Sequence, residues 1–296
     1  MGTQRRRLGD QVIVLVGAAN AVGLTVAVRA AERGARLVLA ADDDVALGGV
    51  VRAVRAHGGR ATGVVADGCW DEDVARITAT AGEYYDRVDT WVNTTPPPTL
   101  GAVGARTTTE ELHRVFDPLY WGFVAASREA VRHFRRTGRG GTLINVGDFF
   151  AAGPAPGSAT RRSAAAAVDR YTAGLRAELS ADRVPVSVTL VRPRRRALGG
   201  GRVSREGLTH SPDAVAAAVL TAAVRPTAQV RVAAVGSPLR VWDRVVHGAP
   251  PVTPETSDAT RRASGPEPFA GGELLPFGPR AGAHPGAPRW TGDPGS

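Results

Sequence analysis

The chain predicts an α/β fold: a doubly wound parallel sheet of about seven strands with helices on both faces. Three observations carry that reading. Residues 11–93 alternate short apolar runs with helix-length stretches, the rhythm of β-α-β units joined by right-handed crossovers. The first run, Val12-Ile13-Val14-Leu15-Val16, is apolar without a break, as a parallel strand covered on both faces must be. Directly after it, Gly17 and Gly23 bracket a turn into a helix, where backbone comes close to a neighbour or a ligand.

Each element follows from local chemistry. The first strand, 12–17, leads to a helix over 22–33, which Gly34 ends as a C-terminal cap residue. A strand over 35–41 comes next. Asp42-Asp43-Asp44 supplies side-chain acceptors to cap a helix over 45–57, and Gly58-Gly59 breaks it. Strand three spans 60–66, helix three 71–85 and strand four 88–93. Pro96-Pro97-Pro98 forces an extended loop. Thr108 or Thr109 then caps a long helix reaching about Arg136, with Pro118 as an interruption in its sequence. Strand five covers 140–147, and a loop holding Pro154 and Pro156 leads into an alanine-rich helix over 159–179. Strand six is 185–191, followed by an Arg/Gly-rich loop over 192–210. Pro212 opens a helix to Val224 at the N1 position, and a last strand lies at 229–235.

This divides the chain into a basic arm (1–10), a folded domain (11–247) and a Pro/Gly-rich tail (248–296) that holds 10 of the 21 prolines. The tail is expected to be disordered or laid over the surface. Phe269, Leu274-Leu275, Phe277 and Trp290 are apolar enough to dock on the domain or on a partner, and exposure to solvent is the competing reading.

Composition narrows the functional classes. No apolar run of about 18 residues is present, so no membrane span is expected. The N-terminal arginines have no apolar stretch behind them, which argues for the cytoplasm. A single cysteine, Cys69, excludes an internal disulfide, and the six histidines show no metal-ligand spacing, so no metal is expected. The net charge of +9 comes entirely from arginine, because the chain contains no lysine. Scattered arginines, 5% aromatics and no nucleic-acid motif argue against a nucleic-acid partner.

Gly17-x-x-x-Ala21-x-Gly23 resembles the Thr-Gly-x-x-x-Gly-x-Gly fingerprint of the short-chain dehydrogenase/reductase family, with Val16 for the Thr and Ala21 for the middle Gly. Five further stretches extend the resemblance to about residue 235. Asp67 in Val-Val-Ala-Asp-Gly is similar to the adenine-contacting Asp after strand three. Asp89-Thr-Trp-Val-Asn93 is similar to the strand leading into Asn-Asn-Ala-Gly. Gly140-Gly-Thr-Leu-Ile-Asn-Val146 is similar to strand five, and Val186–Pro193 to strand six before a Pro-Gly. Gly174-Leu-Arg-Ala-Glu-Leu179 is similar to the end of the active-site helix. The resemblance implies a Rossmann-type fold and an NAD(P)-linked oxidoreductase ancestry. It also implies dimerisation through the two long helices, here about 109–136 and 159–179, with a second copy or an active relative.

The family's chemistry uses an Asn, a Ser, a Tyr and a Lys for general acid–base and oxyanion work. Counting from matching flanks places the Asn position at Leu119 and the Ser position at Asp148. The Tyr position, 13 residues on, is Arg161, and the Lys position, four further, is Ala165. All are replaced, and the absence of lysine from the chain excludes a shifted register for the last. Tyr171 lies on the same helix where the family has a buried aromatic, and Tyr120, next to Leu119, points about 100° away from it. Asp148 is the remaining candidate base, and its opposite charge to Arg161 predicts a salt bridge across the old site.

By resemblance the cofactor contacts would be Gly17, Asn20, Gly23, Asp42, Asp67 and Asn93, vestigial or weak. Thr95-Pro96 adds bulk where the family has Ala-Gly, and Arg194 puts a cation beside the nicotinamide position. Asp42 suits a ribose diol and repels a 2′-phosphate, so NAD is favoured over NADP, with weak or absent binding. The expectation is therefore a pseudoenzyme acting as a binding or regulatory subunit. One alternative is an NAD-dependent oxidoreductase rebuilt around Asp148 as base, or a non-redox catalyst using it. Another is an anionic-ligand or nucleic-acid binder using Arg161, Arg162 and Arg194–Arg196.

Overall fold

The computed structural model describes residues 6–94, 108–148, 159–193, 210–232 and 274–275. After a short 3-10 turn at Leu8–Asp10, the elements run β1 (Val12–Val16), α1 (Ala21–Ala31), β2 (Arg36–Ala41), α2 (Asp44–Ala56), β3 (Arg60–Val65), α3 (Asp71–Tyr85) and β4 (Thr90–Asn93). They continue as α4 (Thr109–Thr137), β5 (Gly141–Val146), α5 (Ala159–Ala181), β6 (Val186–Pro193), α6 (Pro212–Val224), β7 (Gln229–Val232) and β8 (Leu274–Leu275). All strands pair in parallel, in the order β7-β6-β5-β4-β1-β2-β3-β8. This is the expected doubly wound Rossmann-type sheet, with one strand more than the sequence suggests.

Two cores flank the sheet. Ile13, Leu15, Leu37 and Leu39 point to one side and pack with α1, α2 and α6. Val14, Val38, Trp91 and Leu143 point to the other and pack with α3, α4 and α5. Alternate residues of β1 thus feed opposite cores, which is why its run shows no polar break.

The helix boundaries show the predicted caps with some corrections. Gly34 follows α1 at φ +85°, as a C-terminal glycine should. Of the three aspartates, Asp43 caps α2, accepting from the Ala46 N–H at 2.9 Å. Thr108 caps α4 in a reciprocal box with Glu111. Pro118 does not interrupt α4, which runs unbroken through it. The proline sits on the exposed face, so water can take the carbonyl that loses its helical donor.

The order of the sheet reverses between β1 and β4, since chain connections leave β1 toward β2 and β4 toward β5. In open α/β sheets, the carboxyl edge at such a reversal is where the ligand crevice lies.

Candidate functional site

The loop after β1 is held by the chain's own polar groups. Gly17 has φ +77°, and a β-carbon there would lie 2.5 Å from Thr94 Oγ1. Thr94, just past β4, donates its hydroxyl to the Gly17 carbonyl at 2.7 Å. Asn20 caps α1: its Oδ1 accepts from the Gly23 N–H at 2.9 Å, and its Nδ2 donates to the Gly17 carbonyl at 2.7 Å and to Thr94 Oγ1 at 2.9 Å. A β-carbon on Gly23 would stand 2.6 Å from the Gly17 carbonyl oxygen and 2.7 Å from that of Ala18. Backbone atoms cannot swing aside as a side-chain end can. Gly23→Ala should therefore cost about 1–3 kcal/mol of stability in a denaturant titration. A loss under about 0.5 kcal/mol, the range of ordinary surface changes, would contradict this packing.

The neighbouring strands contribute carboxylates. Gly17 and Ala18 both donate backbone N–H groups to the Ala40 carbonyl at 2.9 Å, which ties the loop to the end of β2. Asp42 lies just beyond that end, exposed, and its neighbour Asp43 already does the capping. Asp67, after β3, turns its Oδ1 back to the Cys69 N–H at 2.9 Å, while its own N–H donates to Asp73 Oδ2 at 2.9 Å. Burial, followed by the adjacent Asp67 carboxylate, pushes the Cys69 thiol well above its ordinary range, so Cys69 is not a nucleophile at neutral pH.

Asn93 is placed differently from the other cofactor candidates. Its side chain is buried beneath α4, accepting from Trp91 Nε1 at 2.8 Å and donating to Asn145 Oδ1 at 2.9 Å. Asn145 in turn donates to Thr172 Oγ1 on α5 at 2.9 Å. Ser127 of α4 lies within 3.2 Å of Asn93 and 3.3 Å of Asn145. This polar network pins β4 and β5 to the two long helices. Any approach of a ligand to Asn93 is through its backbone, since the amide is spent internally. The network is missed by reading motifs one at a time. Its signal is a pair of asparagines at the same level of adjacent apolar strands, Asn93 opposite Asn145.

Across the crevice, Asp148 follows β5 and Arg161 lies in the first turns of α5. The two meet. Arg161 Nε lies 2.6 Å from Asp148 Oδ2, and Nη2 donates to Oδ1 at 2.9 Å. Both residues are buried, the Asp148 side chain at 2% exposure and the Arg161 side chain at 10%. The predicted salt bridge forms, with one charge-assisted hydrogen bond and a second close nitrogen–oxygen contact. Leu119 is buried on α4, and Ala165, one turn beyond Arg161, is half-buried on α5.

Residues 11–194 match the family described as short chain dehydrogenase. The chain belongs to the short-chain dehydrogenase/reductase family. It is 38% identical over 231 residues to the "Uncharacterized oxidoreductase YxnA" of Bacillus subtilis, covering 75% of this chain but 65% of that longer relative. It is 31% identical over 224 residues to the "1-deoxy-11-beta-hydroxypentalenate dehydrogenase" of Streptomyces avermitilis, covering 73% of this chain and 82% of that one. Among solved structures, a short-chain type dehydrogenase/reductase from Mycobacterium marinum matches at a TM-score of 0.66 and 21% identity, over 77% of this chain and 95% of that one. A metagenomic short-chain oxidoreductase in complex with NADP matches at 0.65 and 23%, over 78% and 100%. These structural likenesses establish the fold.

Counting from the sequence motifs would put this salt bridge at the family's Ser and Tyr positions and apolar Leu119 and Ala165 at its Asn and Lys positions. The nearby tyrosines do not stand in. The Tyr120 and Tyr171 rings meet edge-on at 6.4 Å between α4 and α5. Burial chiefly pushes the Tyr171 phenol up to about 12, so it holds its proton and cannot serve as a base near neutrality.

A dinucleotide fits this crevice in part. The N-terminus of α1 faces the carboxyl edge and the exposed Asp42 carboxylate could accept from a ribose diol, which suits the adenosine half. Past β5, the buried Asp148–Arg161 pair stands where the sequence count expects the catalytic end. Thr95, Pro96 and Arg194, which the sequence singles out as obstacles, lie outside the described residues, as does most of the Arg/Gly-rich loop. Among the described residues, no three His, Cys, Asp or Glu side chains gather as a metal site, and no helix is long and apolar enough to cross a membrane.

Proposed function

We propose that this short-chain dehydrogenase/reductase acts as a binding or regulatory subunit that lacks the family's hydride-transfer chemistry. The observation that carries the reading is the buried ion pair between Asp148 and Arg161. A carbonyl reductase needs a donor that gives its proton to the substrate oxygen near neutral pH. A guanidinium, with a pKa above about 12, keeps its protons, and no lysine exists anywhere to activate a phenol. A bound nicotinamide would supply or accept the hydride, but while Asp148 stays paired with Arg161 no residue at these positions would manage the accompanying proton.

Dinucleotide binding should accordingly be weak or absent, with NAD favoured over NADP because Asp42 repels a 2′-phosphate. Titration with NAD(H) and NADP(H), by fluorescence or calorimetry, should show no saturation in the micromolar range. Micromolar binding of NADH would show that the adenosine half suffices. Turnover of a carbonyl panel with NADH would refute the non-catalytic reading itself.

The relatives' names favour a second reading, an NAD-dependent oxidoreductase rebuilt around Asp148 as general base. It requires Arg161 to leave its carboxylate when substrate enters. An anionic ligand is the further alternative, with Arg161 turned from Asp148 to the ligand beside the exposed Arg162. The partner of a non-catalytic subunit would be a second copy or an active relative in the cytoplasm, docked on α4 and α5. The half-exposed Trp121 on α4, stacked edge-on against Tyr120, suits such a contact.

A further inference from the structure

The β3 side of the sheet ends in an unusual arrangement of donors. The Ala66 N–H donates to the Ala41 carbonyl on β2, so even-numbered residues here turn their backbone polar groups inward. Odd-numbered Ala61, Gly63 and Val65 turn theirs to the outer edge. Side chains from the adjacent helices close both ends of that edge. Arg55 of α2 donates Nη2 to the Ala61 carbonyl at 3.1 Å, and Arg76 of α3 donates Nη2 to the Val65 carbonyl. Between the two arginines the Gly63 peptide unit faces outward, and there β8 pairs: Gly63 opposite Leu274 and Val64 opposite Leu275.

The resident has the length of the gap. In the sequence, Leu274-Leu275 is bounded by Gly271-Gly272 before and Pro276 after, residues that punctuate strands. Parallel register turns the polar groups of Leu275 toward β3, since Gly63, whose own face outward, stands opposite Leu274. An unpaired outer edge would be a template for association, and a strand that covers it removes that liability.

The geometry points to a strand-acceptor slot on the outer edge of β3, sized by Arg55 and Arg76, whose occupant is the chain's own Leu274–Leu275. Pairing there tethers the Pro/Gly-rich tail to the domain. Because β8 runs in the same sense as β3, it heads toward the edge of the sheet that carries Asp42 and Asp67. This assignment is independent of whether the crevice is catalytic.

Hydrogen exchange on the full-length protein tests it. The Gly63 and Val65 amides should be protected in the native chain. Leu275→Pro, which removes the N–H facing β3, should speed their exchange at least tenfold, while the Val14 amide at the sheet centre stays unchanged and reports an intact fold. Leu275→Ala keeps the N–H and should stay within about threefold of the native rate. Equal exchange in the native and proline variants would overturn the slot. So would a loss in the alanine variant as large as in the proline one, because the ladder would then not be the holding contact. Protection that falls on dilution, together with a dimer by sedimentation, would place the strand of a second copy in the slot and overturn the tether within one chain.

Discussion

Arg161→Ala should lower the unfolding free energy by about 3 kcal/mol or more. The cost is of that order because the arginine is the partner of a carboxylate whose side chain is only 2% exposed. Removing the guanidinium leaves Asp148 either charged in a poorly hydrated site or forced to take up a proton. Both routes cost more than the fraction of a kcal/mol typical of an exposed arginine in a surface ion pair such as Arg114 with Glu110. Asp148→Ala should cost a similar amount, since it strands a buried guanidinium. The double variant is the decisive measurement. With both charges gone, neither is left unpaired, so its cost should fall short of the sum of the singles by about 1–3 kcal/mol. Urea titrations of the four proteins provide the cycle. Additive losses would mean that the two side chains do not depend on each other, and the reading of a plugged site would go with them.

The ion pair was legible in the sequence because the family's spacing brings its Ser and Tyr positions to one point in space. Placing an acid and a base at those two positions then leaves pairing as the favourable outcome. The sheet was legible for an equally local reason: Val12–Val16 can be buried only from both sides, and Gly34, Asp43 and Thr108 carry their caps within one turn. Two features were not legible in that way. Pro118 suggests an interruption by its lost N–H, but whether a lost hydrogen bond matters depends on which side of the helix faces water, a tertiary fact. The eighth strand is only two residues long, too short for any alternation to appear. Its register depends on arginines more than 190 residues earlier in the chain. Asn93 shows the limit of the family analogy: its position matches, but Asn145, Ser127 and Trp91 claim its side chain for the interior.

Restoring catalysis should require the whole constellation, with the single tyrosine variant remaining at background. In Arg161→Tyr the new phenol stands beside the Asp148 carboxylate, which is the wrong neighbour. A hydrogen bond to that carboxylate holds the phenolic proton, and the negative charge raises a pKa already near 10, so less of the base form exists at neutral pH. Ala165 supplies no cation to reverse this. The combined Leu119→Asn, Asp148→Ser, Arg161→Tyr, Ala165→Lys protein removes the carboxylate and supplies the ammonium one helical turn from the phenol. It also returns the hydroxyl and the amide to their places. General acid–base assistance of this kind contributes roughly 10²–10⁴-fold, so the combined variant should exceed the single one by at least about that lower bound in NADH-dependent carbonyl reduction. The single variant running at the combined variant's rate would show that Asp148 and Ala165 do not obstruct the phenol. A folded combined variant that stays inactive at saturating NADH, yet binds it, would mean that geometry beyond these four positions has been lost. If it also fails to bind NADH, the defect lies in the crevice between β1 and β4, where Ala21 replaces the middle glycine and Asn20 and Thr94 hold the loop closed on Gly17.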